Sequence, residues 1–147
     1  MYSIIKADHA LLPELTRFSA DFFDEPWSKE AFEAEINKTN SAVFCAVLDG
    51  NIIGVVCIEN QFGDGYLHNI AVDTEFRRQG IAKRLIKKCV EFIRASAVSK
   101  IYLEVRVSNT SAVSLYKKVG FTILTVRKKF YSCPEEDAYS MVLELQK

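Results

Sequence analysis

Three segments of this 147-residue chain carry groups suited to acyl or phosphate chemistry. The first is Arg77-Arg78-Gln79-Gly80-Ile81-Ala82, which precedes a strongly amphipathic stretch. The opening turn of a helix leaves amide N–H groups unpaired, and its dipole favours anions. Glycine at 80 lets a ligand oxygen approach the backbone, Ala82 does not block it, and two arginines add charge-assisted donors. The hexamer therefore suits a pyrophosphate. It is also compatible with a basic turn that is merely solvated. The second segment is Lys100–Arg106, whose alternation puts Leu103 and Val105 on one face and Tyr102, Glu104 and Arg106 on the other. Glu104 there is a general base if its surroundings let it hold a proton, or one half of a surface pair with Arg106. The third runs from Ser108 to Phe121. Asn109 suits a helix cap, Ala112, Leu115 and Val119 form an apolar stripe, and Tyr116 lies beside it with a wet hydroxyl.

Regular elements must hold these groups. Residues 2–7 read as a strand, and Asp8 caps a helix with Leu11, Leu12, Leu15, Phe18 and Phe22 at helical spacing. Pro26-Trp27 interrupts, and Ser28 caps a second helix carrying Phe32 and Ile36. Strands over 42–48 and 51–59 flank the hairpin signal Asp49-Gly50. Gly63-Asp64-Gly65 turns the chain into a strand over 66–72. Gly80 opens a helix with Ile81, Leu85, Ile86, Cys89, Val90 and Ile93 on its apolar face. Strand 100–106 follows, then the helix ending at Gly120. Strands 121–126 and 139–145 close the chain, with a polar loop between them. The order β-α-α-β-β-β-α-β-α-β-β implies a mixed-sheet α/β layer fold in a single domain over residues 1–147.

Composition narrows the classes. Nineteen basic and nineteen acidic residues give no net charge, against the basic excess of a nucleic-acid or membrane-surface binder. Cys45, Cys57, Cys89 and Cys133 lack zinc or redox spacing and are expected to be buried, reduced thiols. His9 falls in a helix's first turn and His68 has no paired ligand, so neither indicates chemistry or a metal. No secretory signal and no apolar run of ~20 residues is visible, which favours a cytoplasmic protein.

Taken in order, the motifs resemble the GNAT superfamily of N-acetyltransferases, whose acetyl-CoA signature Gln/Arg-x-x-Gly-x-Gly/Ala is matched by Arg77, Gly80 and Ala82. More narrowly, the chain resembles the bacterial ribosomal-protein-alanine N-acetyltransferases of the RimI type. The matching strings are Pro26-Trp27-Ser28, Leu67 to Val72, Leu103 to Arg106, Ser108-Asn109 with Ala112, Leu115-Tyr116, Gly120-Phe121 and Glu136-Asp137-Ala138. Ala82 replaces the commoner glycine and Arg77 the commoner glutamine, without loss of amide donors.

The resemblance implies a mostly antiparallel central sheet flanked by helices. It implies that Ile70, Ala71 and Val72 hold the thioester of acetyl-CoA. Arg77, Arg78, Gln79, Gly80, Ile81 and Ala82 would cradle its pyrophosphate, and Asn109 would contact it. Glu104 takes the role of general base and Tyr116 that of general acid. Trp27 and Tyr131 flank the amine channel, and Glu136 or Asp137 attracts the ammonium. The alternatives for Trp27 and for Arg127-Lys128-Lys129 are a core plug and a solvated strand edge. The implied partners are acetyl-CoA and a protein N-terminus, that of a ribosomal protein, with no metal, nucleic acid or membrane. The chain is expected to act as a monomer or weak dimer.

The chemistry is consistent with that assignment. An α-amine titrates near ~7.7–8.0 and a lysine near ~10.4, a difference of roughly 3.4 kcal/mol in deprotonation work. A phenol near ~10 gives a proton to a thiolate near ~8.5 only uphill, so Tyr116 is expected to stabilise the thiolate by hydrogen bonding. No cysteine has a histidine base beside it, so direct transfer in a ternary complex is expected rather than an acyl-cysteine route. The other readings are a lysine, polyamine or small amine as acceptor, and an idle acyl-CoA-binding module.

Overall fold

Asp49 and Gly50 both take left-handed φ angles, 51° and 80°, as a two-residue hairpin between right-twisted strands demands. In the computed structural model, which describes residues 1–145, they join β2 (Ser41–Leu48) to β3 (Asn51–Gln61). Phe62 and Gly63, with φ of 54° and 91°, turn β3 into β4 (Asp64–Val72). The turn expected at 63–65 thus lies one residue earlier, and Gly65 is inside β4. A Cβ there would come within 3.0 Å of Ile101 and 3.2 Å of Ile93. The residue is therefore needed for close packing rather than for turning.

The remaining elements are β1 (Ser3–Lys6), α1 (Leu12–Phe22), α2 (Lys29–Asn37), α3 (Ile81–Arg94), β5 (Lys100–Arg106), α4 (Thr110–Val119), β6 (Thr122–Ser132) and β7 (Glu135–Glu144). They form one seven-stranded sheet in the order β1-β2-β3-β4-β5-β7-β6. Every neighbouring pair is antiparallel except β4–β5. The expected mixed sheet flanked by helices is what forms.

Strand alternation divides the core. Ala42, Phe44 and Ala46 of β2 face a cluster built on Ile81, Leu85, Ile86, Cys89 and Ile93 of α3. Val43 and Cys45 face the other way, onto Leu12, Leu15, Phe18 and Phe32 of α1 and α2. Burying side chains of this size contributes ~1.5–3 kcal/mol each. The caps are as expected at Ser28, which accepts from Ala31 N–H at 3.1 Å, and at Asn109, which accepts from Ala112 N–H at 3.2 Å. Asp8 caps a short 3-10 turn over His9–Leu11, and α1 proper begins at Leu12.

Two expectations fail. The polar loop after residue 126 is strand: Tyr131 pairs with Glu136 and Ser132 with Glu135. Register shifts at 123–125 and 127–131 break the period-two pattern, and an edge strand tolerates polar residues. In α4 the stripe of Ala112, Leu115 and Val119 packs half-buried against the core as expected, while Val113 and Tyr116 are the fully buried positions. Cys133 is exposed, whereas Cys45, Cys57 and Cys89 are buried. Burial pushes the Cys45 thiol up to about 12 and raises Cys57 and Cys89 as well, so these three are poor nucleophiles.

Candidate active site

Strands β4 and β5 pair only through Gly65–Ile101 and Tyr66–Tyr102. At that last rung the two tyrosine rings stack with centroids 5.6 Å apart. Beyond it β4 stays with β3 and β5 stays with β7, so the sheet opens between Leu67–Val72 and Leu103–Arg106. Along an open strand edge, alternate N–H and C=O groups have no ladder partner. A cavity of about 440 Å³ occupies the opening, walled by residues 24–27, 66–70 and 102–106 with Asn109, Tyr116, Phe130 and Tyr131.

At the far end of β4 the chain enters α3 through Arg78 (φ 65°) and Gly80 (φ 78°). The first helical bond is Arg84 N–H to Gly80 O at 3.1 Å, which leaves the preceding amides of the first turn open. A Cβ on Gly80 would meet nothing within 4 Å, so the space above the turn is clear for an anion. Arg77 is less free than expected: its Nε donates to Val72 O at 3.2 Å, bracing this turn against the end of β4. The turn fits a diphosphate on backbone donors first.

Glu104 accepts from the Ser140 hydroxyl at 3.0 Å and lies 3.9 Å from Arg127 Nε. The surface pair with Arg106 does not form. Arg106 is buried and donates to Asp24 Oδ2 at 2.7 Å, Pro134 O at 2.9 Å, Cys133 O at 3.2 Å and Glu136 Oε1 at 3.3 Å. Its guanidinium lies 4.2 Å from the Tyr131 ring centroid. The sequence suggests Glu104 as the partner of Arg106 and gives no sign of Asp24. Nothing local signals their contact, because the partners of Arg106 come from two segments remote from β5, Asp24 and residues 131–136.

Tyr116 faces the cavity from α4 but is buried, with its ring edge-on to Phe121 at 5.7 Å. Its hydroxyl is therefore not washed by bulk water, and burial pushes the phenol well above its usual range. Asn109 uses Oδ1 for the cap of α4, so its Nδ2 is the group left for a ligand. Trp27 is both plug and wall, packed 5.2 Å from Phe32 and 6.2 Å from His68 between ring centroids. Burial, then the charge of Glu25, push the Tyr131 phenol up to about 12.

Glu136 and Asp137 are committed to the protein rather than to a passing ammonium. Glu136 accepts from Ser108 N–H at 2.7 Å, and Asp137 accepts from Lys129 N–H at 2.9 Å and Lys128 Nζ at 3.2 Å.

His68, expected to have no paired ligand, has carboxylate partners. Its Nε2 lies 2.8 Å from Glu59 Oε1 and 3.9 Å from Glu35 Oε1. Both carboxylates are buried and both bind the Lys38 ammonium. These three donor groups could hold an ion, since their atoms all lie within 4.8 Å of one another; Lys38 already supplies the positive charge. The sequence conceals the cluster because α2, β3 and β4 contribute one group each.

Known proteins place this geometry. A family model described as the acetyltransferase (GNAT) family matches residues 12–121. The ribosomal protein bS18-alanine N-acetyltransferase of Haemophilus ducreyi is 40% identical over 98 residues, 65% of this chain and 68% of that one. Its Escherichia coli K12 counterpart is 30% identical over 122 residues, 82% of each. The crystal structure of the ribosomal-protein-S18-alanine N-acetyltransferase from Escherichia coli superposes with a TM-score of 0.89 at 27% identity, covering 100% of this chain and 96% of that one. The overall fold is thus shared with the Escherichia coli structure, and the chain belongs to the GNAT family of acetyl-CoA-dependent acetyltransferases.

Proposed function

We propose that the chain transfers the acetyl group of acetyl-CoA to the N-terminal α-amine of a protein beginning with alanine, the N-terminus of a small-subunit ribosomal protein. The observation that carries this reading is the opening between β4 and β5. It brings Glu104, Tyr116 and Asn109 to one cavity beside the end of β4. The relatives acting on ribosomal protein bS18 support the choice of acceptor.

The Gly80 turn binds the diphosphate with open amides, and the unpaired edge of Ile70–Val72 holds the thioester with its carbonyl toward a backbone N–H. That donor stabilises the developing oxyanion. Tyr131 and Trp27 pack along the acceptor peptide. The amine attacks the carbonyl carbon directly, the carbon–nitrogen bond forms and the carbon–sulfur bond breaks. Glu104 takes a proton from the attacking nitrogen. Tyr116, held neutral by burial, donates a hydrogen bond to the departing thiolate rather than surrendering its proton.

Thiol release from acetyl-CoA with a panel of acceptors tests the reading. An alanyl peptide with the ribosomal N-terminus should react. Reaction only with free lysine or polyamine would move the chain to another acceptor class, and no reaction with any amine would leave an acyl-CoA-binding module.

A further inference from the structure

We propose that His68, held by the Glu59 carboxylate, is a second proton acceptor of the acyl transfer and takes the first of two protons that the attacking nitrogen sheds. The inference rests on the acyl-transfer reading above. An α-ammonium and acetyl-CoA become an acetylated amine, a thiol and one proton. The nitrogen loses one proton to free its lone pair and a second once it is bonded to the carbonyl carbon. One ends on the leaving sulfur and the other in solvent. Glu104 holds only one proton at a time, so a second station in the cavity wall has work to do.

His68 is placed for it. Leu67 pairs with Ile58 and Asn69 with Cys57, so His68 is the extra residue of a β-bulge, a device that re-aims a side chain. The ring is part of the cavity wall. Its Nε2 meets Glu59 Oε1 at 2.8 Å. Burial works to raise the Glu59 carboxyl, but hydrogen bonds from His68, Gln61 and Lys38 outweigh it and leave Glu59 below its usual range. Glu59 is therefore an acceptor, which fixes the hydrogen on Nε2 and leaves the lone pair on Nδ1.

The surroundings also suit the charged ring. Glu35 Oε1 is buried without a hydrogen-bond partner, 3.9 Å from Nε2. With a neutral ring, Glu35, Glu59 and Lys38 sum to one negative charge; an imidazolium brings the sum to zero. The other acidic groups of the cavity wall, Asp24, Glu25 and Glu104, have the same sign; Arg106 in that wall is already held by Asp24 and Glu136. With 31% of its side chain exposed, His68 can hand the proton on to water.

The order of the two transfers follows from acidity. A neutral imidazole nitrogen is a stronger base than a carboxylate and better matched to an ammonium. The ammonium proton therefore falls to His68. The second proton leaves a far more acidic nitrogen, for which the carboxylate of Glu104 suffices. Glu59 acts through His68 and is a positioning residue.

The test is the pH profile of kcat/KM on an alanyl peptide for the wild type, His68→Gln and Glu59→Gln, with thermal midpoints checking that each variant folds. Glutamine at 68 can still donate to Glu59 but cannot accept a proton at neutral pH. The inference expects at least ~10-fold loss for His68→Gln below pH 7.5, consistent with general-base contributions. That loss should shrink toward the wild-type rate above pH 9, where the peptide amine is already free. Glu59→Gln should show a smaller loss of the same shape. A wild-type profile in both variants, or an equal loss at every pH, overturns the inference while the acyl-transfer reading stands. No wild-type turnover on the peptide overturns both.

Discussion

Arg106 Nε and Asp24 Oδ2 meet at 2.7 Å although 82 residues separate them. The contact lies in the cavity wall and ties the segment after α1 to the β6–β7 turn, where the same guanidinium holds Cys133 O and Pro134 O. Arg106 thereby fixes the distance between the walls that carry Trp27 and Tyr131. A planar fork with five donors can serve so many acceptors at once; a lysine cannot.

Arg106→Ala should cost about 2–3 kcal/mol of stability, below the ~3–5 kcal/mol of a fully buried pair because Asp24 is itself exposed. Thermal unfolding should show a drop of roughly 5–10 °C. KM for the peptide should rise more than KM for acetyl-CoA, and Arg106→Lys should recover only part of both losses. Equal effects on the two KM values would remove Arg106 from the peptide side of the site.

Glu104→Gln should lower kcat by ~10²-fold or more, with acetyl-CoA affinity unchanged. The glutamine keeps a partner for the Ser140 hydroxyl but cannot take a proton, so the rise of kcat with pH should flatten. A normal rate at pH 7 would exclude Glu104 as a base.

Tyr116→Phe should reduce kcat by ~10²–10³-fold, the size of effect seen on removing one well-placed hydrogen-bond donor. Because burial raises this phenol, no alkaline limb below pH 10 should come from Tyr116 in the wild-type profile. A limb that vanishes in the variant would show instead that the tyrosine ionises during turnover.

Gly80→Asp separates folding from coenzyme binding. Aspartate tolerates the left-handed φ of 78° better than most residues, so the fold should survive with a loss of about 1 kcal/mol. Its carboxylate would face the diphosphate, and coenzyme A binding measured by calorimetry should weaken at least ~10-fold. Unchanged affinity would place the diphosphate elsewhere.

Acid should destabilise the protein through identifiable groups. Hydrogen bonds to Ser108 hold the Glu136 carboxyl down, and the Lys129 N–H does the same for Asp137. Glu59 is also lowered, with burial opposing. A carboxyl whose folded value is depressed stabilises the fold fully above its unfolded value. That contribution disappears as pH falls through the folded value. Urea unfolding should therefore show constant stability near neutrality and a decline below about pH 4.3. Glu136→Gln should make that decline shallower; an unchanged slope would remove Glu136 from the acid response.

Local chemistry in the chain accounts for most of the elements. Asp49-Gly50, Ser28, Asn109 and Gly120 set boundaries within a few residues of themselves, and the apolar stripe of α3 needs no distant partner to be read. The Arg77–Ala82 turn is legible for the same reason, since its donors are consecutive amides. The β6–β7 hairpin is not, because bulges reset its period and its outer edge is free to be polar.

Long-range partnerships are of another kind. Whether Glu104 meets Arg106 or Ser140, whether Tyr116 is wet or buried, and whether His68 is idle or backed by Glu59 all depend on which strands separate beyond Tyr66–Tyr102 and which helix covers the gap. A side chain's proton affinity and partners are set by groups brought in from elsewhere in the chain. Spacing along the chain carries no record of those groups until the sheet has formed.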